Sequence, residues 1–199
     1  MRAGQFTSSN LNKEQQLAEA DFYEEEGYVL LDNGFYEKAF NHLTAGLHML
    51  RSVYGDCHPR IANILEKIGN SFLGLGKNDE ALECYLNCLK VRQDFYKDSH
   101  DEIISSFNII GTLLLNSGRY EEALGYFARH LLMTIELYGN ENRKTANSLK
   151  TMGDAYYFSG YYEMAFKHYQ KNLVLCLDDY FNPRSGNLWG LPQRWIALY

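Results

Sequence analysis

Gly69 to Leu89 reads GNSFLGLGKNDEALECYLNCL, which has the makings of a helix end, a tight turn and a helix start. Its small residues Gly69, Gly76 and Ala81 return at the same places in three other stretches. These are Gly27 to Leu47, GYVLLDNGFYEKAFNHLTAGL; Gly111 to Leu131, GTLLLNSGRYEEALGYFARHL; and Gly153 to Leu173, GDAYYFSGYYEMAFKHYQKNL. The offset is 42 residues each time, with no insertion. Self-similarity at one fixed period marks a repeat array, in which each unit buries its apolar face against its neighbours.

Within a unit the apolar residues follow two helical patterns. Ile61, Leu65, Ile68 and Phe72 share one face of a first helix, A, while Ala81, Leu82, Tyr85, Cys88 and Leu89 share one face of a second, B. Between them lies Gly76-Lys77-Asn78-Asp79. Gly76 suits a left-handed residue just past helix A, and Asn78 or Asp79 can cap helix B. The expected units are residues 12–53, 54–95, 96–137 and 138–179, joined at Tyr54, Tyr96, Tyr138 and Tyr180. Residues 1–11 are polar and aperiodic and are expected to form a disordered lead. Gly69, Gly111 and Gly153 fall inside helix A, where glycine costs about 1 kcal/mol relative to alanine. Their fixed register implies a close approach, assigned to the small positions Ala81, Ala123 and Ala165 on helix B. The fold class expected is all-α, a solenoid of antiparallel helix pairs.

The pattern carried by Leu65, Gly69, Phe72, Gly76, Ala81 and Tyr85, and again by Phe107, Gly111, Leu114, Gly118, Tyr120, Ala123 and Phe127, resembles the tetratricopeptide repeat. The 42-residue period resembles the long-helix variety found in kinesin light chains. Tyr54-Gly-Asp-Cys-His-Pro59 is close to the joint such repeats use; His100 keeps part of it and Asn140–Arg143 less. The resemblance implies a right-handed superhelix whose A helices line a concave groove that holds extended peptides.

The polar face of helix A is then the candidate site. It comprises Asn63, Glu66, Lys67 and Asn70; Ser105, Asn108, Thr112 and Asn116; and Asn147, Lys150, Thr151 and Asp154. Spacings of three, four and seven put each set on one stripe. Asparagine amides both donate and accept, as binding a peptide backbone requires, and the charged residues can choose among side chains. The Gly69-Asn70 pair resembles the start of a carboxylate clamp, but Glu66 stands where that clamp needs a basic residue.

Composition narrows the partners. A net charge of -6 argues against nucleic acid or an anionic membrane surface, and no 18-residue apolar run exists to span a bilayer. With no signal-like N-terminus, a cytoplasmic protein is expected. Cys84 and Cys88, four apart, are read as small buried residues rather than half a metal site, so no metal and no cofactor are expected. His42 and His168 are repeat equivalents, His58 and His100 sit at joints, and no phosphate loop, HExxH or GxSxG segment occurs. The protein is read as a non-catalytic scaffold for a protein or peptide partner, or alternatively as an assembly module that self-associates through its repeat ends. Two further stretches bear on that choice. Tyr23–Glu26 makes the first unit acidic, as a solvated cap or a docking site requires. Residues 180–199 leave the repeat, yet carry Trp189, Leu191, Trp195, Ile196 and Leu198, and serve as a cap, a docking peptide or the start of further chain.

Overall fold

The computed structural model describes residues 4–97 and 100–181. These form eight helices: α1 Gly4–Asp32, α2 Tyr36–Tyr54, α3 Pro59–Gly74, α4 Asn78–Tyr96, α5 Asp101–Asn116, α6 Tyr120–Tyr138, α7 Arg143–Phe158 and α8 Tyr162–Phe181. The described chain is all-α, with the antiparallel A and B helices where the periodicity puts them. It divides into two compact units, residues 1–117 with α1 to α5 and residues 118–199 with α6 to α8.

Helix α1 begins at Gly4, so residues 4–11 are helical rather than the disordered lead expected. No proline precedes Pro59, and nothing in the backbone chemistry stops the helix from running upstream. Residues 180 and 181 complete α8; the rest of the segment expected to cap or dock, 182–199, lies outside the described residues.

The turn glycines do what the sequence requires of them. Gly76 takes φ +73°, its N–H donates to the Leu73 carbonyl at 3.0 Å, and Lys77 N–H donates to that of Phe72 at 2.9 Å, closing the end of α3. The caps differ from expectation. Asn78 already lies inside α4, and the residue before it, Lys77, makes no side-chain cap bond. The capped helices are instead the A helices. His58 Nδ1 accepts from Arg60 N–H at 3.3 Å, His100 Nδ1 from Glu102 N–H at 3.2 Å, and Asn142 Oδ1 from Lys144 N–H at 2.8 Å. Each capping imidazole also stacks on the tyrosine four residues before it, Tyr54–His58 at 4.0 Å and Tyr96–His100 at 3.6 Å between ring centroids.

Gly69 and Gly153 make room for a ring, and Gly27 for the Leu43 side chain, not for a backbone crossing at alanine. A Cβ on Gly69 would stand 2.7 Å from the Tyr85 ring, and one on Gly153 would stand 2.6 Å from the Tyr169 ring. Ala81 and Ala165 are buried, but they are not what these glycines meet.

At the three joints between a B helix and the A helix that follows it, one pair of positions recurs in register. Between α2 and α3 these are Leu50 and Ile64, both fully buried. Between α4 and α5 they are Arg92 and Ser106. In the second unit, between α6 and α7, they are Thr134 and Ser148, whose hydroxyls lie 3.2 Å apart.

Candidate functional site

In the first unit, α3, α4 and α5 enclose an open cleft of about 420 Å³. Asn70 and Leu73 come from α3, Asn78 and Tyr85 from α4, and Asn108, Ile109, Thr112, Leu113 and Asn116 from α5. Helical spacing produces this set: residues 108, 109, 112, 113 and 116 fall three or four apart along one side of α5. Leucine and isoleucine provide apolar walls between four asparagine amides.

The polar groups of the cleft are only partly satisfied. The hydroxyl of Tyr85 donates to Asn70 Oδ1 at 2.6 Å, made possible by the missing side chain at Gly69. Burial, followed by the nearby Glu66 charge, pushes the Tyr85 hydroxyl well above its ordinary range, so it remains a donor. Thr112 Oγ1 donates to its own helix at the Asn108 carbonyl, 2.8 Å away. Asn108 Oδ1, by contrast, is closed to solvent and has no hydrogen-bond partner among the described residues. A buried acceptor left without a donor costs on the order of 1–3 kcal/mol.

Four of the twelve candidate residues, Asn70, Asn108, Thr112 and Asn116, therefore meet in one cleft. Asn63 and Glu66 do not join them. Both are bound by Arg92, whose Nη2 lies 3.2 Å from Asn63 Oδ1 and 2.9 Å from Glu66 Oε2. Lys67 sits against the Tyr28 ring, 6.0 Å from its centroid, and Ser105 is exposed outside the cleft lining. In the second unit Asn147 and Lys150 are exposed, Thr151 donates to the Asn147 carbonyl at 3.0 Å, and Asp154 is engaged twice. It accepts from Tyr169 at 2.8 Å and pairs with Lys150 at 3.3 Å. Asp154 and Tyr169 are the repeat counterparts of Asn70 and Tyr85, so the same tyrosine-to-A-helix bond occurs in both units.

The cleft also takes in Tyr85 and Asn78, which the expected set does not include. Tyr85 shows the apolar spacing of a core residue, and only its hydroxyl reaches the cleft; Asn78 was read as a cap. A second cleft, of about 630 Å³ in the second unit, runs beside α8 with Lys167, His168 and Lys171 along it and Leu131, Ile135 and Leu149 beneath. It contains none of the candidate residues.

The acidic first unit is also resolved into parts. Glu24 is buried and, with Asp21, pairs with Arg60 of α3, whereas Glu25 and Glu26 are exposed. Burial pushes the thiols of Cys84 and Cys88 up to about 11, which keeps them protonated near neutral pH and poor as metal ligands. No group of three potential metal-ligating side chains occurs among the described residues, and no described helix is long and apolar enough to cross a membrane.

A sequence profile described as Tetratricopeptide repeat matches residues 19–94, 60–131 and 101–173. A comparison with curated proteins gives no match. Among solved structures, BtubC (BKLC) from P. vanneervenii is similar at a TM-score of 0.72 and 16% identity, covering 87% of this chain and 66% of its own. A Podosopora anserina protein of nearly identical TPR-like repeats, described as a kinesin light chain, gives a TM-score of 0.72 at 15% identity, covering 82% of this chain and 77% of its own. A Rap protein complexed with Competence and Sporulation Factor gives 0.60 at 17% identity, with 82% of this chain and 44% of its own. The chain thus spans just under two thirds of BtubC and less than half of that Rap protein. At such identities the likeness establishes the fold, an α-solenoid of helix pairs.

Proposed function

Because the chain belongs to the tetratricopeptide repeat family, in general a non-catalytic interaction scaffold, we propose that it holds an extended segment of a protein partner in the cleft between α3 and α5. The observation that carries this reading is the cleft itself, where asparagine amides from α3, α4 and α5 alternate with leucine and isoleucine side chains. An extended peptide presents backbone N–H and C=O groups in alternation, and asparagine amides can meet both kinds. Leu73, Ile109 and Leu113 offer contact to an apolar side chain between those bonds. The tetratricopeptide fold supports protein partners, and the Rap protein of like fold is found complexed with Competence and Sporulation Factor. The cytoplasm fits such a role.

Selection from a displayed peptide library, followed by titration of the selected peptide, tests the cleft. Asn108→Ala removes one hydrogen bond to the ligand and is expected to weaken binding by about 1 kcal/mol, several-fold, with little change in melting temperature. Equal binding by Asn108→Ala and by Thr112→Ala would remove the cleft from the proposal.

A further inference from the structure

We propose that residues 182–199 of this chain cover the open face of α8, taking the place a following A helix would occupy. The argument starts from register. Phe166, Leu173 and Cys176 of α8 stand 126 residues, three repeats, after Phe40, Leu47 and Leu50 of α2. In the first unit those three positions pack into the core. Phe40 packs on Phe72 of α3 at 5.0 Å between ring centroids, and Leu47 and Leu50 lie in the core formed with residues of α1, α3 and α4. On α8 the same positions are bare: Phe166 is 66% exposed, Leu173 57%, and Cys176 is exposed as well. Side chains that the first unit buries or half-buries are here left in water, on a helix with no described neighbour beyond it.

The occupant follows from the chain that leaves α8. Leu188, Leu191, Trp195 and Leu198 come 126 residues after Ala62, Leu65, Gly69 and Phe72, so the segment keeps an apolar residue at each of these inner positions of α3. Pro183 and Pro192 bar a single uninterrupted helix, so the segment matches the face by apolar register and does not complete a fifth pair. Its reach is ample. Eighteen residues extend to about 60 Å, against about 30 Å for the length of α8. Residues 182–199 also contain no Asp or Glu, so seating them on an apolar face leaves no carboxylate side chain buried.

Trp189 and Trp195 are the two tryptophans of the chain, and both belong to this segment, so tryptophan emission of the full chain reports on it alone. The expected result is emission shifted to the blue of the same chain in denaturant, poor quenching by acrylamide, and independence of protein concentration. Phe166→Asp and, separately, Leu173→Asp should shift the emission red and raise quenching at unchanged far-ultraviolet helix signal. Val174→Asp, on the side of α8 that lines the second cleft, should leave both unmoved. If Leu173→Asp fails to fold, Phe166→Asp carries the test, since Phe166 is already largely in water. Three outcomes would overturn the proposal: wild-type tryptophans as accessible as in denaturant, shielding that disappears on dilution together with a sedimenting dimer, or shielding indifferent to both Asp variants. The second outcome would assign the face to another copy of the chain.

Discussion

At the joint between α2 and α3, positions 50 and 64 hold Leu50 and Ile64, fully buried and apolar. One repeat later, between α4 and α5, the same two positions hold Arg92 and Ser106, and the contact is made of charge. Arg92 is only 3% exposed. Its Nη1 donates to Ser106 Oγ at 2.7 Å, and its Nη2 reaches Glu66 at 2.9 Å and Glu102 at 2.7 Å. The apolar joint needs only that two surfaces meet, because the hydrophobic effect has no direction. The charged joint holds only while α3, α4 and α5 are all in place, since an arginine taken from water costs several kcal/mol unless both partners and geometry are right. The lesson is that the repeat fixes where helices touch and leaves the chemistry of each contact free.

The largest expected effect comes from breaking the charged joint. Arg92→Ala leaves Glu66 and Glu102 facing a vacated space and should cost about 3–5 kcal/mol in urea denaturation. Leu50→Ala at the apolar joint should cost about 2–5 kcal/mol, as buried leucines do. Arg92→Leu with Ser106→Ile rebuilds the first joint in place of the second. It should recover part of the Arg92→Ala loss by refilling the vacated space, while Glu66 and Glu102, 20% and 41% exposed, still lose their cation. A double variant less stable than Arg92→Ala would show that the two joints are not interchangeable solutions of one contact.

A smaller effect is expected at the third joint, in the second unit, and it depends on pH. His130 lies one turn before Thr134, with Nε2 3.4 Å from Ser148 Oγ, and Nδ1 has no partner among the described residues. Burial lowers its pKa from 6.5 to about 4. Between these values the unfolded chain binds a proton that the folded chain refuses, so this contribution to stability is whole above pH 6.5 and falls as pH drops toward 4. His130→Asn should flatten that part of the melting-temperature profile relative to wild type. Parallel profiles for the two proteins would show that the joint does not sense protons through His130.

What could be read without coordinates was what the repeat repeats. Gly76 and Ala81 return at a fixed spacing, and so helix pairs and turns were legible. Arg92 was not, because its counterparts are Leu50 and Thr134 and no periodic signal singles it out. For the same reason the stripe alone does not separate Asn63 and Glu66, which meet Arg92 from the next helix, from residues that line the cleft. Asn70, Asn108, Thr112 and Asn116 share one cleft because their neighbours across it come from the same two A-helix stripes. Tyr85 shows the limit again, since one side chain serves the core with its ring and the cleft with its hydroxyl.

The smallest prediction separates what the joints share from what distinguishes them. His58 and His100 cap α3 and α5 in the same way, each accepting one backbone N–H and each stacking on its tyrosine. Loss of an N-cap costs about 1 kcal/mol. His58→Ala and His100→Ala should therefore cost nearly the same, although one joint is apolar and the other ionic. Equal costs would place the difference between the joints at positions 50 and 92 alone. A cost at His100 well above that at His58 would mean that the cap and the charged contact act together. Glu102 is the residue through which they would do so: its N–H is the one capped, and its carboxylate is the one Arg92 holds. Repeating both substitutions in the Arg92→Leu, Ser106→Ile background decides it, since coupling through Glu102 must vanish once Arg92 is gone.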